Sequence, residues 1–243
     1  MGFFEELKFD FYRNFVQDNR WKWLFDGLKN TLIITFFALL LGVAIGIVIA
    51  IIRSTFDKNR EEYRKKGGIF YFFWWIINAI CNLYLTVVRG TPVVVQLLIA
   101  YFIIFASSRN GIAVAIFAFG LNSGAYVAEI VRGGIMSIDN GQFEAGRSLG
   151  FNYVQTMIYI IIPQVFKAVL PTLCNEFIVL IKETSVAGYV GIVDLTKAGE
   201  RIRGVTFSAF MPLIAVALIY LVVVVVLTQL VKILERKLRK NER

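Results

Sequence analysis

Charge is missing from long tracts of this chain. Residues 30–52 and 209–231 are each 23 positions without a charged side chain. Residues 67–108 run for 42 positions with Arg89 as their one charge, and residues 110–128 add 19 more. A helix that crosses a bilayer needs roughly 20 mostly apolar residues. Each tract is therefore a predicted span, and residues 148–181 hold another behind a polar lead. Membrane barrels would instead show segments of about ten residues with strict alternation, and none is present. The prediction is an all-α membrane protein, a helical bundle, because only helices and closed barrels satisfy their backbone in lipid. Within the first tract, Gly42-x-x-x-Gly46 has the spacing that admits a second helix at close range.

The tract at 67–108 reads either as two spans or as an interfacial aromatic segment (69–80, with Trp74 and Trp75) followed by one long span. Charge placement decides between them. The linker 53–68 carries six basic and three acidic residues, and residues 232–243 carry six and two, together +7 of the net +9. Lys and Arg near span ends stay cytoplasmic. A single crossing in 67–108 puts both basic segments and the 132–167 loop on one side, with 15 Lys and Arg against nine on the other. The expectation is five spans, N-terminus out and C-terminus in. Residues 1–27 read as an interfacial N-terminal segment rather than a signal peptide, which would open with a short basic region before an apolar core. A single transmembrane domain is expected over 28–235, and a basic cytoplasmic tail over 236–243.

Composition removes whole classes of chemistry. With 58% hydrophobic residues and a mean hydropathy of +0.68, the chain is far from an ordinary soluble fold. It has no histidine, so a Ser-His-Asp triad and a His-ligated metal are both excluded. Cys81 and Cys174 lie too far apart in sequence for a metal-binding spacing. No GxxxxGK[ST] loop occurs, so ATP is not bound by that route. The basic residues form no aromatic-interleaved face on a soluble module, as nucleic-acid binding requires.

The polar stretch between the third and fourth spans is the candidate for chemistry. Over residues 137–150 it reads as a short helix, with Asp139 and Gln142 at capping-box spacing and Gly150 as a left-handed stop. Ala145 and Gly146 are small enough to admit a partner surface, and Glu144 and Arg147 are spaced to pair along the helix. The order Glu144-Ala145-Gly146-x-x-x-Gly150, nine residues, then Ile160-x-Ile162-Pro163 resembles the EAA loop of permease subunits in ATP-binding-cassette importers. Gly146 replaces the second alanine and Ile162 the leucine. Further runs resemble the polar-amino-acid branch: Val88-Arg89-Gly90-Thr91-Pro92 with Gln96, then residues 125–134, Gly141-Gln142-Phe143-Glu144, Pro163-Gln164, Asn175-Glu176-Phe177 and Lys182-Glu183-Thr184-Ser185.

The resemblance implies a permease subunit of a bacterial amino acid importer in the plasma membrane, not an enzyme. It implies partners: a second permease subunit, two ATPase subunits carrying ATP and Mg, and an extracytoplasmic amino-acid-binding protein. No cofactor is expected on this chain. The EAA loop, about 134–163, would be cytoplasmic, and Gln142, Phe143, Glu144, Ala145, Gly146, Leu149 and Gly150 would couple it to the ATPase. Polar groups at membrane depth usually face the bundle interior or a wet cavity. Asn122, Ser123, Tyr126, Gln96, Glu176 and Lys182 are the candidates for the substrate path, while Arg89, Glu129 and Arg132 read as an ion-paired anchor. The alternative is a gradient-driven secondary transporter or channel, which commonly shows two matching halves. No internal repeat is visible.

Overall fold

The computed structural model describes residues 3–240, and helices of three kinds account for its regular structure, with no strand among the described residues. Ten α-helices follow in chain order: α1 (Phe3–Phe11), α2 (Trp21–Lys66), α3 (Gly68–Gly90), α4 (Val93–Ile99), α5 (Gly111–Met136), α6 (Asn140–Ser148), α7 (Tyr153–Thr156), α8 (Ile162–Glu183), α9 (Leu195–Thr206) and α10 (Phe210–Lys240). Wide turns at Ala100–Ile104 and Met157–Ile161 carry α4 and α7 onward, and a tight turn at Thr184–Val190 extends α8. Five helical stretches are long and apolar enough to cross a membrane: Trp21–Lys65, Gly68–Gly90, Gly111–Met136, Tyr153–Val190 and Phe210–Leu238. The number agrees with the sequence reading.

Two boundaries differ from it. Gly68–Gly90 is one helix that runs through Ile80, so the aromatic segment does not end before the span begins; the break falls at Thr91–Pro92. Proline has no N–H for a helix and disfavours helical geometry in the residue before it, and Thr91 is extended at φ −120° and ψ 146°. Its aromatic first half still keeps to the polar end of α2: Tyr71 stacks on Phe56, and Phe70 and Trp74 pack on Tyr63. The linker 53–68 is not a loop either. Its residues through Lys66 continue α2, giving 46 residues and about 69 Å at about 1.5 Å per residue, more than twice an apolar bilayer core of about 30 Å. Residues 236–240 likewise continue α10, and 241–243 lie outside the described residues.

The chain divides into two compact units. One takes in the described residues through Ala38, Val93–Phe119 and Phe177–Leu230; the other takes in Leu39–Pro92, Gly120–Glu176 and the described residues from Val231. In the second, α5 is the packing centre. A Cβ added at Gly42 would lie 3.0 Å from the Ser123 side chain, and one at Gly46 would lie 2.5 Å from Val127. The Gly42-x-x-x-Gly46 pair therefore seats α2 on α5, as its spacing predicted. Ala125 and Ala128 receive Leu85 of α3 on another face. In the first unit, Phe15, Leu24, Leu195, Ala198, Ile202 and Val216 form a core that joins the N-terminal segment, α2, α9 and α10. By contrast α10 exposes Leu218, Leu221, Val222, Val225 and Val226, a surface suited to lipid or another apolar chain.

Candidate functional site

The predicted loop helix forms as α6, and its ends are built as the sequence indicated. Asp139 is the N-cap: its carboxylate accepts from the Gly141 N–H at 2.6 Å. The reciprocal half of a capping box is not made here, because the Gln142 amide oxygen accepts from Gln164 at 3.3 Å instead. A full capping box stands at the next helix start, between Asn152 and Gln155, both bonds at 2.9 Å. At the other end of α6, Gly150 takes φ +80°, and Phe151 N–H donates to the Gly146 carbonyl at 3.0 Å while Gly150 N–H donates to Arg147 at 2.9 Å. These two bonds are the Schellman closure. A side chain at 150 would be strained at that φ.

The helix has two unlike faces. Phe143 and Gly146, three apart, point inward. Phe143 joins a core of Ala50, Val127, Val131, Ile135, Met157, Ile161, Val165 and Val169. Gly146 lies so near Thr156 that a Cβ would come within 2.7 Å of its side chain. The small residue at 146 thus serves the chain's own packing rather than a partner surface. Gln142, Glu144, Ala145, Arg147, Leu149 and Gly150 are exposed. Leu149 is 71% exposed, an apolar side chain left bare beside a capped helix end. Glu144 and Arg147 form no ion pair with each other among the described residues; both line a cleft of about 620 Å³ with Lys58, Glu61, Glu62, Lys65 and Tyr153.

An ion-pair cluster sits beside this helix in the same unit. Glu129 accepts from Arg53 at 2.8 Å and lies 3.5 Å from Arg132 and 3.9 Å from Arg89. Arg132 also pairs with Asp57 at 3.1 Å. Arg89, Glu129 and Arg132 therefore form the expected anchor, tying α3 and α5 to α2. The carboxylate and the three guanidinium groups around it compensate each other's burial near the end of an apolar span, where an unpaired charge is costly.

The candidate path residues separate. Ser123 is buried and donates to the Glu176 carboxylate at 3.2 Å. Asn122 is buried next to it, while Tyr126, four residues on, is exposed with the Arg89 guanidinium 5.7 Å from its ring. Gln96 and Lys182 belong to the other unit, Gln96 half-buried and Lys182 exposed.

Comparison with known proteins places this geometry. Residues 67–240 match the family described as binding-protein-dependent transport system inner membrane component. The chain belongs to that family. The arginine transport system permease protein ArtQ of Bacillus subtilis is 36% identical over 90% of this chain and 94% of its own length. The glutamine transport system permease protein GlnP of Escherichia coli is 36% identical over 89% and 93%. A crystal structure of an amino acid ABC transporter with histidines superposes with a TM-score of 0.77 at 35% identity, covering 98% of this chain and 99% of that one. The MetNI methionine ABC transporter, at 20% identity, shares the fold with a TM-score of 0.69 over 89% and 95%.

This permease is a multi-pass membrane protein and not an enzyme. It also contains one element that the sequence reading passed over. α9 opens on Asp194, a fully buried N-cap whose carboxylate accepts from Thr196 N–H at 2.8 Å and Lys197 N–H at 3.2 Å. Burial pushes the Asp194 carboxyl up from its ordinary value, against the lowering effect of those amides. An Asp cap followed by Leu195, Ala198, Gly199 and Ile202 at i, i+3, i+4 and i+7 was the available sign. The N-terminal segment docks on α9: Thr206 donates to buried Asn14 at 2.7 Å, and Arg201 lies 4.2 Å from the Trp23 ring. Trp23 is thus held by protein, whereas Trp21 is 51% exposed.

Proposed function

We propose that this permease carries polar amino acids inward for an ATP-driven importer. It pairs with a second permease subunit and is worked by two separate ATPase subunits, which hold ATP and Mg. An extracytoplasmic binding protein delivers the substrate. The arginine and glutamine permeases among its relatives support the substrate class. The excess of Lys and Arg on one side supports an N-terminus outside and a C-terminus inside, and the inner-membrane family with its bacterial relatives supports a bacterial plasma membrane address. The layout is an interfacial N-terminal segment at 1–27, one transmembrane permease domain at 28–235 with its cytoplasmic EAA loop at about 134–163, and a basic cytoplasmic tail at 236–243.

The observation that carries the coupling role is the division of α6 into a locked face and a bare one. Gln142, Glu144, Ala145, Leu149 and Gly150 offer the surface that an ATPase grips. Phe143 and Gly146 fix that surface to the spans, so ATPase closure becomes rigid-body movement. Ala145→Trp tests it: ATPase co-purification and uptake should both be lost while membrane insertion is normal. Retained ATPase and undiminished uptake would overturn the coupling reading. Asn122, Ser123, Tyr126, Gln96, Glu176 and Lys182 supply polar groups to the path, with the Glu176 carboxylate suited to an ammonium group. Glu176→Gln should impair uptake with the complex intact; wild-type uptake removes it from the path.

A further inference from the structure

One side chain of the α2 extension, Lys58, stands between α2 and α6. Lys58 lies in the same cleft as Glu61, Glu62 and Glu144, yet it forms no ion pair among the described residues. Its ammonium sits 3.4 Å from the centroid of the Phe143 ring. Phe143 is 8% exposed, so its ring is set in the core and capped by the charge. A cation over an aromatic face is attracted by the ring quadrupole, more strongly where water is scarce. The next residue back, Asp57, grips Arg132, and Arg53 grips Glu129 one turn before that. Arg53, Asp57 and Lys58 of one rod thus hold α5 through two ion pairs and α6 through one ring.

We propose that Lys58 is a positioning residue for energy coupling: its contact with Phe143 ties α6 to α2. Displacement of α6 then reaches α2 directly, as well as through the chain connections to α5 and α8. This rests on α6 being the helix the ATPase grips. Without the tie, α6 still docks its partner and ATP is still hydrolysed, but less of each stroke reaches α2. A Lys58 that merely filled space would be replaced without loss by methionine, which keeps the stem and removes the charge.

The test uses the full complex with its binding protein in proteoliposomes and a mix of radiolabelled protein amino acids. Lys58→Met should keep its ATPase subunits and hydrolyse ATP, while amino acid imported per ATP falls at least threefold. Lys58→Arg, which preserves the cation over the ring, should stay within twofold of the parent. Phe143→Leu should lower the same ratio, and adding Lys58→Met to it should lower it no further. The proposal is overturned by an unchanged ratio in Lys58→Met, by Lys58→Arg failing equally, by additive losses, or by Lys58→Met shedding its ATPase subunits. Should Ala145→Trp keep both its ATPase subunits and its uptake, the reading of α6 itself fails, whatever Lys58→Met does.

Discussion

Two short amphipathic helices, α6 and α9, stand between long apolar ones and are used in opposite ways. α9 buries a full stripe, with Leu195, Ala198, Gly199, Ile202 and Thr206 against the chain and its cap Asp194 fully enclosed. α6 buries Phe143 and Gly146 alone and leaves its other seven residues exposed. Both have caps at their starts and a left-handed residue just past their ends, Phe207 at φ 54° after α9 and Gly150 at φ 80° after α6. Capping therefore does not separate them. What separates them is how much surface remains for another molecule. A helix spent on its own fold has a continuous apolar stripe, while one reserved for a partner has a foothold and a bare face.

The largest effect should come from breaking the stripe. Gly27 brings α2 so near the start of α9 that a Cβ would lie 2.6 Å from the Asp194 carbonyl oxygen. That oxygen is backbone and accepts from Ala198 N–H at 2.9 Å, so it cannot swing aside. Gly27→Val should cost about 3 kcal/mol or more, at the upper end for overpacking, and abolish a monodisperse species on size-exclusion chromatography. Its survival at wild-type yield would mean that α9 is not held as described. Leu149→Asp on the bare face should do the reverse. Thermal stability in detergent should change by less than about 0.5 kcal/mol, as for an ordinary surface site, while uptake falls at least tenfold.

The smallest effect sharpens the role of the α9 cap. Asp194→Ala should cost about 1 kcal/mol, the usual loss for a removed N-cap, whereas Asp194→Asn keeps an acceptor and should be nearly neutral. The sign of the pH effect follows from the raised carboxyl. The folded protein holds that proton more tightly than the unfolded chain, so the contribution is complete below the ordinary carboxylate range and is lost as pH rises through the folded value. Melting of the parent and of Asp194→Asn across mildly acidic to neutral pH should show the parent losing ground with rising pH. Parallel curves would mean that the amide bonds, rather than burial, control this carboxyl.

Much of this protein follows from local pattern. A charge-free tract long enough to cross lipid satisfies its backbone there as a helix, and the side on which Lys and Arg fall set the number of spans at five. Gly42-x-x-x-Gly46 announced a close helix contact, and Asp139 and Gly150 announced the ends of α6, since caps act within a turn of their own residue. The tertiary structure decided what depends on residues distant in the chain. It turned Phe143 and Gly146 inward toward Val127, Met157 and Thr156, brought Ser123 to Glu176 and Asn14 to Thr206, and placed Lys58 on an aromatic ring although carboxylates line the same cleft. Periodicity says that a helix has two faces; only the neighbours packed against it decide which one remains for a partner.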